Sequence, residues 1–247
     1  MRHLWKRILL LLGISLAIAL GGFIAWASFP LGPGEAALAA LQTDETVLVE
    51  KVQDWTVFRP NGIEPQTGFI FYPGGRVDYR SYAPLLKPLA REGYLVVLVP
   101  MPLSLAVFAP DKAEEVIAAY PGIEYWAIGG HSLGGAMAAR YAFTHPGKVA
   151  GLALWASYPA DTDSLADREL TVVSIAGTKD GVSRKQLEES AALLPADTQW
   201  VKIEGGNHSQ FGDYGLQPGD GTAEITPQEQ WKQVVSATLD LLKKIEK

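Results

Sequence analysis

The chain contains no cysteine. That absence removes disulfides, thiolate metal centres and cysteine nucleophiles together. Histidine is scarce as well, with four in 247 residues, so imidazole chemistry has few candidates. Positive charge is not in surplus. The formal net charge is −6, and Arg2, Lys6 and Arg7 supply +3 within residues 1–34, which hold no acid; residues 35–247 therefore carry −9. A nucleic-acid partner requires a basic face to neutralise phosphate, and none is expected. No metal-ligand spacing and no phosphate-cradling loop occurs, so no metal and no cofactor are expected.

Charge is missing altogether from Ile8–Phe29. As a helix this run would extend about 33 Å, close to the hydrocarbon thickness of a bilayer. Arg2, Lys6 and Arg7 precede it, which predicts a cytoplasmic N-terminus and a body outside the cytoplasm. Trp5 and Trp26 stand near the ends, where interfacial indoles are favoured. Two readings follow. One is an uncleaved single-pass anchor through residues 8–29; the other is a signal peptide cut after Ala25-Trp26-Ala27, which would give a secreted body. The length of the run favours the anchor. Pro30, Gly32, Pro33 and Gly34 then read as breakers. The expected organisation is an anchor or signal segment over 1–29, a linker over 30–45, and one catalytic domain over 46–247.

Within that body short apolar runs alternate with helical patterns. Strands are expected at Thr46–Lys51, Trp55–Arg59, Gly68–Tyr72, Tyr94–Pro100, Tyr125–Gly129, Val149–Trp155, Leu170–Ala176 and Gln199–Ile203. Helices are expected at Tyr79–Arg91, with a kink at Pro88, and at Asp111–Tyr120, Leu133–His145, Ser183–Leu194 and Thr226–Ile245. Ser183 with Gln186, and Thr226 with Glu229, have capping-box spacing. Such alternation implies an α/β fold, a mostly parallel sheet with helices on both faces. Only Ala156–Glu169 separates two core strands, too little for a cap domain, so an open or lightly covered site is expected.

The informative motif is Gly130-His131-Ser132-Leu133-Gly134, between the strand Tyr125–Gly129 and the following helix. A serine on that sharp turn is held in strained geometry with its hydroxyl at the strand's end, and flanking glycines leave room for the turn. A serine hydroxyl needs a base, and the base needs a carboxylate. His3 precedes the apolar run, His131 diverges from its neighbour, and His145 lies at the far end of the helix. His208, in a loop directly after the last strand, remains as the base. Asp180, in Gly177-Thr178-Lys179-Asp180-Gly181, follows the preceding strand and is the expected acid, with Asp161 and Asp163 as runners-up. The oxyanion donors are expected to be the backbone N–H groups of Leu133 and, from Tyr72-Pro73-Gly74-Gly75-Arg76, of Gly74 or Gly75, with Gly75 preferred. The apolar Met101–Phe108 segment reads as an acyl pocket, a membrane-facing lip or simple packing. Trp155, Tyr158 and Phe211 could line the same pocket or belong to the core. Arg76 could attract an anion, though a pair with Asp78 is favoured.

These stretches, FYPGGRVDYRSYAPL, VPMPLSLAVF, GGHSLGG, AGTKDG and GGNHSQFGDYG, resemble in order and spacing the α/β-hydrolase superfamily. The resemblance is strongest to the small, lid-poor bacterial branch labelled alpha/beta hydrolase family five, and it covers about residues 46–247. It implies an α/β-hydrolase sheet with minimal cap, a Ser132–Asp180–His208 triad, and an acyl-enzyme route on a small-molecule ester or related acyl substrate. Tyr72-Pro73 stands where lipases and esterases often carry His-Gly. The same triad would serve an acyltransferase or a peptidase, and an inactive membrane-anchored binding module is the reading from another class.

Overall fold

A computed structural model describes residues 2–246. Met1 and Lys247, the outer ends of the expected first and last segments, lie outside the described residues. The centre is an eight-stranded sheet. Its strands are β1 (Val47–Val52), β2 (Trp55–Pro60), β3 (Thr67–Tyr72), β4 (Leu95–Leu98), β5 (Tyr125–His131), β6 (Gly151–Trp155), β7 (Thr171–Gly177) and β8 (Gln199–Ile203). The spatial order is β1-β2-β4-β3-β5-β6-β7-β8. The first two strands form an antiparallel hairpin, β2 pairs antiparallel with β4, and every pairing from β4 to β8 is parallel. The α/β architecture expected from the alternation is therefore the one observed.

The sheet is covered on both faces because its inner strands alternate sides while remaining apolar on both. Phe69 and Phe71 of β3 join one core, with Leu85, Leu86 and Leu89 of α3 (Ala83–Arg91) and Val234, Leu241 and Leu242 of α7 (Pro227–Ile245). Their neighbours Ile70 and Tyr72 join the other, with Val116 of α4 (Lys112–Ala119) and Ala138 and Ala139 of α5 (Leu133–Thr144). Small residues on α5 let it approach the sheet closely. The Tyr72 hydroxyl accepts from Ala113 N–H at 2.7 Å and donates to Pro110 O at 2.9 Å, which fixes the entry to α4.

Two helical expectations change. Tyr79–Arg91 is a 3₁₀ turn, Tyr79–Tyr82, followed by α3, which takes Pro84 into its first turn. A proline there lacks an N–H the helix does not need. Ser183–Leu194 becomes α6 (Arg184–Glu189) and a 3₁₀ turn, Ser190–Leu193, and the Ser183 capping box does not form. Asp180 is the reason: its Oδ1 accepts the N–H groups of Val182 and Ser183, and its Oδ2 accepts the Ser183 hydroxyl. The Thr226–Glu229 capping box of α7 is present as expected.

The N-terminal helix α1 (Arg2–Ser28) stands away from the body for most of its length. Trp5–Ser28 is long and apolar enough to cross a membrane and, apart from the buried Ala27, is open on all sides, with Leu9, Leu10, Leu11, Leu12, Leu16 and Ile18 each more than half exposed. Apolar residues on every side suit lipid or a signal sequence rather than a solvated helix. Residues 30–45 lie against the body. Leu31 bridges Val77, Gly34 N–H donates to Asp213 O, and α2 (Glu35–Ala40) has Ala37 N–H bonded to the Asp213 carboxylate at 2.8 Å.

Candidate active site

The residues singled out from sequence lie at the carboxyl ends of β3, β5, β7 and β8, the edge where open parallel sheets build their sites. Ser132 follows β5 directly and has φ 51° and ψ −122°. This region is disfavoured for any residue with a Cβ, at a cost of about 1–3 kcal/mol. The chain is held there from both sides. Ser132 N–H donates to Trp155 O at 3.0 Å, and the Ser157 hydroxyl donates to Ser132 O at 2.6 Å. A Cβ on Gly130 would meet Gly134 C at 2.5 Å, and one on Gly134 would collide with the carbonyls of Tyr72 and Pro73. The glycines therefore permit both the turn and the approach of α5 to the loop after β3.

His208 and Asp180 meet. His208 Nδ1 and Asp180 Oδ2 are 2.9 Å apart, with both side chains fully buried. Burial alone would raise the Asp180 pKa. The hydrogen bond and charge of His208, with the N–H and hydroxyl of Ser183, outweigh it and bring the carboxyl down to about 2. Ser183 Oγ, whose proton goes to Asp180, also lies 3.4 Å from His208 Nδ1 and 3.3 Å from Ala156 O. The opposite ring nitrogen, His208 Nε2, is buried and makes no hydrogen bond among the described residues. Ser132 Oγ does not bond to it in this structure. The two sides of the site nevertheless touch: the ring of His131 lies 4.5 Å from that of His208, and Ala156 and Ser157 reach Ser183 and Ser132 respectively. Serine–histidine contacts of this kind are often loose without substrate.

Asp161 is exposed, and Asp163 is paired with Arg140 at 3.4 Å; neither bonds to His208. His145 caps α5 and lies 3.8 Å from Asp111. Trp155 and Phe211 are fully buried core residues, Trp155 against Phe71 and Phe211 stacked on His131. Arg76 does not pair with Asp78, which binds Arg80 instead; Arg76 donates to Trp26 O and Phe29 O at the end of α1.

The oxyanion expectation divides cleanly. Gly74 N–H donates to the Tyr82 hydroxyl at 2.9 Å, so it is already engaged. Among the described residues Gly75 N–H and Leu133 N–H have no such partner, and a Cβ on Gly75 would lie 3.1 Å from Leu133 Cδ2, so the two segments are neighbours. The Tyr82 hydroxyl also lies 2.9 Å from His131 Nδ1, a bond whose direction follows the histidine tautomer. Burial, with His208 beside it, holds His131 well below the ordinary histidine pKa, so it is neutral.

Two residues that no motif pointed to build the histidine loop. Asp220 Oδ1 accepts N–H groups from Gly181, His208 and Gly221, and its Oδ2 accepts the N–H and hydroxyl of Ser209 at 2.7 and 2.6 Å. One carboxylate thus joins the acid loop to the histidine loop. Gln230, buried on α7, accepts Asn207 N–H at 3.0 Å and donates to Asn207 O at 2.8 Å. An aspartate in a Gly-Asp-Gly turn was the only signal. Among the described residues no group of three or more His, Asp or Glu side chains is placed to hold a metal ion.

A family model for the alpha/beta hydrolase family matches residues 68–232. The chain belongs to this family. The hydrolase has solved structural neighbours of low identity, which speak to fold alone. A CIB-like hydrolase from Thermoplasma acidophilum aligns with TM-score 0.59 at 17% identity, over 79% of this chain and 99% of that one. A dienelactone hydrolase from Anabaena variabilis aligns with TM-score 0.57 at 16% identity, over 81% and 97%. A structure described as a membrane phospholipase A aligns with TM-score 0.57 at 16% identity, over 95% and 99%, a coverage that includes part of α1. A comparison with curated proteins finds no match.

Proposed function

We propose that the hydrolase cleaves a carboxylic ester or related acyl bond with Ser132 as nucleophile, His208 as base, Asp180 as its carboxylate, and Leu133 and Gly75 N–H as oxyanion donors. The observation that carries this reading is the buried Asp180–His208 pair, with Nδ1 engaged and Nε2 left unpaired, on the same edge of the sheet as the strained Ser132. Asp180, charged down to about pH 2, fixes the Nδ1–H tautomer, so Nε2 is the nitrogen with an open lone pair. Ser132 Oγ attacks the acyl carbonyl while Nε2 takes its proton. The carbonyl oxygen gains charge between two backbone donors on separate segments, which need no reorganisation to receive it. Collapse breaks the acyl–oxygen bond, and the His208 proton passes to the leaving alcohol. Water then enters with His208 again as base, and the acid is released.

In this reading residues 46–247 form the catalytic body, and α1 is an uncleaved single-pass anchor with its basic end in the cytoplasm. Supporting the anchor is the engagement of the Trp26 and Phe29 carbonyls by Arg76, on either side of the cleavage position after Ala27. The test is labelling by a fluorophosphonate probe and hydrolysis of 4-nitrophenyl esters by the full chain and Ser132→Ala. Labelling at Ser132 with a loss of several orders of magnitude in kcat in the variant is expected. Undiminished turnover in Ser132→Ala would overturn the assignment, and release of free acid with and without an added alcohol identifies water as the acceptor.

A further inference from the structure

The end of α1 is knit into the loop that carries Gly75. Arg76, the next residue, has φ 56°, and its backbone donates to Ser104 O at 2.8 Å and accepts from Leu31 N–H at 2.8 Å. Its guanidinium donates to Trp26 O at 3.1 Å and Phe29 O at 2.9 Å and lies 4.2 Å over the Trp26 ring. The partner loop, Pro102–Phe108, is two successive 3₁₀ turns and packs on α1; Leu103 and Ser104 also have positive φ. The Phe108 ring meets Phe23 edge-on, with centroids 6.4 Å apart. Val107 and Phe108 are about half exposed, as is Trp26, and Phe29 is more so. These side chains continue the apolar surface of the helix onto the rim, and Leu105 leads inward: its Cδ2 lies 3.6 Å from where a Gly75 Cβ would be.

We infer that this rim is seated in the membrane leaflet and that the site takes its acyl chain from there, so its substrates are membrane-resident acyl esters. The inference rests on the serine-hydrolase reading and on an uncleaved α1. Depth follows from helix geometry. Trp5–Ser28 spans 24 residues, about 36 Å against about 30 Å of hydrocarbon, so the helix end stands near the interface. Phe23 lies five residues back from Ser28, about 7.5 Å along the axis. A Phe108 ring level with Phe23 is then a few ångströms inside the hydrocarbon boundary. An acyl chain in the leaflet can pass Phe108 and Val107 to Leu105 and present its carbonyl between Gly75 and Leu133 without the whole lipid leaving the bilayer.

The absence of cysteine makes the test clean, because one introduced thiol takes the label. Nitroxide is attached at Phe108→Cys in the full chain, and separately at Glu124→Cys, an exposed position before β5 at the opposite end of the sheet from Ser132. Both are placed in vesicles of phosphatidylethanolamine and phosphatidylglycerol doped with diacylglycerol. Oxygen accessibility well above that of a water-soluble nickel reagent is expected at 108 and the reverse at 124, together with fatty-acid release from vesicle lipid by the unlabelled full chain. Equal aqueous accessibility at both positions overturns the inference. So does hydrolysis of soluble 4-nitrophenyl butyrate without fatty-acid release from the vesicles. Absence of both hydrolysis and fluorophosphonate labelling in folded protein defeats the hydrolase reading, and the inference with it.

Discussion

Replacing Asp220 by asparagine tests whether the histidine loop is held by one carboxylate. The change is nearly isosteric, so its cost is in hydrogen bonds. In the parent, Oδ1 accepts three backbone N–H groups and Oδ2 accepts the N–H and hydroxyl of Ser209. The best fit of the amide keeps its oxygen at the three-donor side and turns its NH₂ toward Ser209. The Ser209 hydroxyl can rotate to accept, but its N–H, 2.7 Å from Oδ2 in the parent, then faces another donor. A stranded donor of this kind costs about 1–3 kcal/mol, and the remaining bonds lose their charge assistance, roughly another 1 kcal/mol given the partial exposure of Asp220. A loss of about 2–4 kcal/mol is expected, which lowers Tm by about 4–16 °C for a body of this size. His208 N–H and Gly181 N–H share that oxygen, so a loosened anchor displaces the His208 imidazole, the proposed base, relative to Ser132. Kcat on a soluble ester should therefore fall at least tenfold, with KM nearly unchanged. Thermal unfolding in detergent and steady-state kinetics read both. Parental Tm and kcat in Asp220→Asn would refute the argument.

Three further outcomes follow from the same geometry. His131 is held neutral below its ordinary pKa, so the folded state resists a proton that the unfolded chain accepts. Stability is complete above about pH 6.5 and falls as pH drops toward the folded value, by up to about 1.4 kcal/mol per pH unit; His131→Gln should flatten that slope in unfolding curves between pH 7 and 5. Ser183→Ala removes a donor to Asp180 and a contact to the His208 ring; a several-fold fall in kcat is expected, largely restored in Ser183→Thr, measured at saturating ester. Gly134→Ala drives a methyl into the Tyr72 and Pro73 carbonyls, which are backbone and cannot swing aside; soluble folded protein should be lost, as read by circular dichroism and yield.

The sheet, its parallel core and the positions of Ser132, Asp180 and His208 at its carboxyl edge were legible because each depends on local pattern. Apolar runs of strand length, glycines around a serine and loops after strands are near-neighbour facts. What escaped was decided by groups far apart in the chain. Ser183 had the spacing of a helix cap, yet Asp180 captured its hydroxyl. Gln230 carried no local signal, and it matches the two backbone groups of Asn207. Arg76 found carbonyls 47 and 50 residues earlier rather than the carboxylate two residues later. Nothing local distinguishes Asp220 from any turn aspartate. Polar side chains that satisfy distant backbone atoms leave no periodicity, and they are the ones that fix the loops.

The clamp between Gln230 and Asn207 has a consequence for when the protein becomes reactive. The helix that carries Gln230 follows every strand in the chain. During synthesis, an incomplete polypeptide can therefore possess the Ser132 turn while the main chain of Asn207, next to His208, still lacks its two partners on Gln230. On the proposed reading competence arrives late, only after the final helix docks, and a half-made molecule stays idle until its last element is in place.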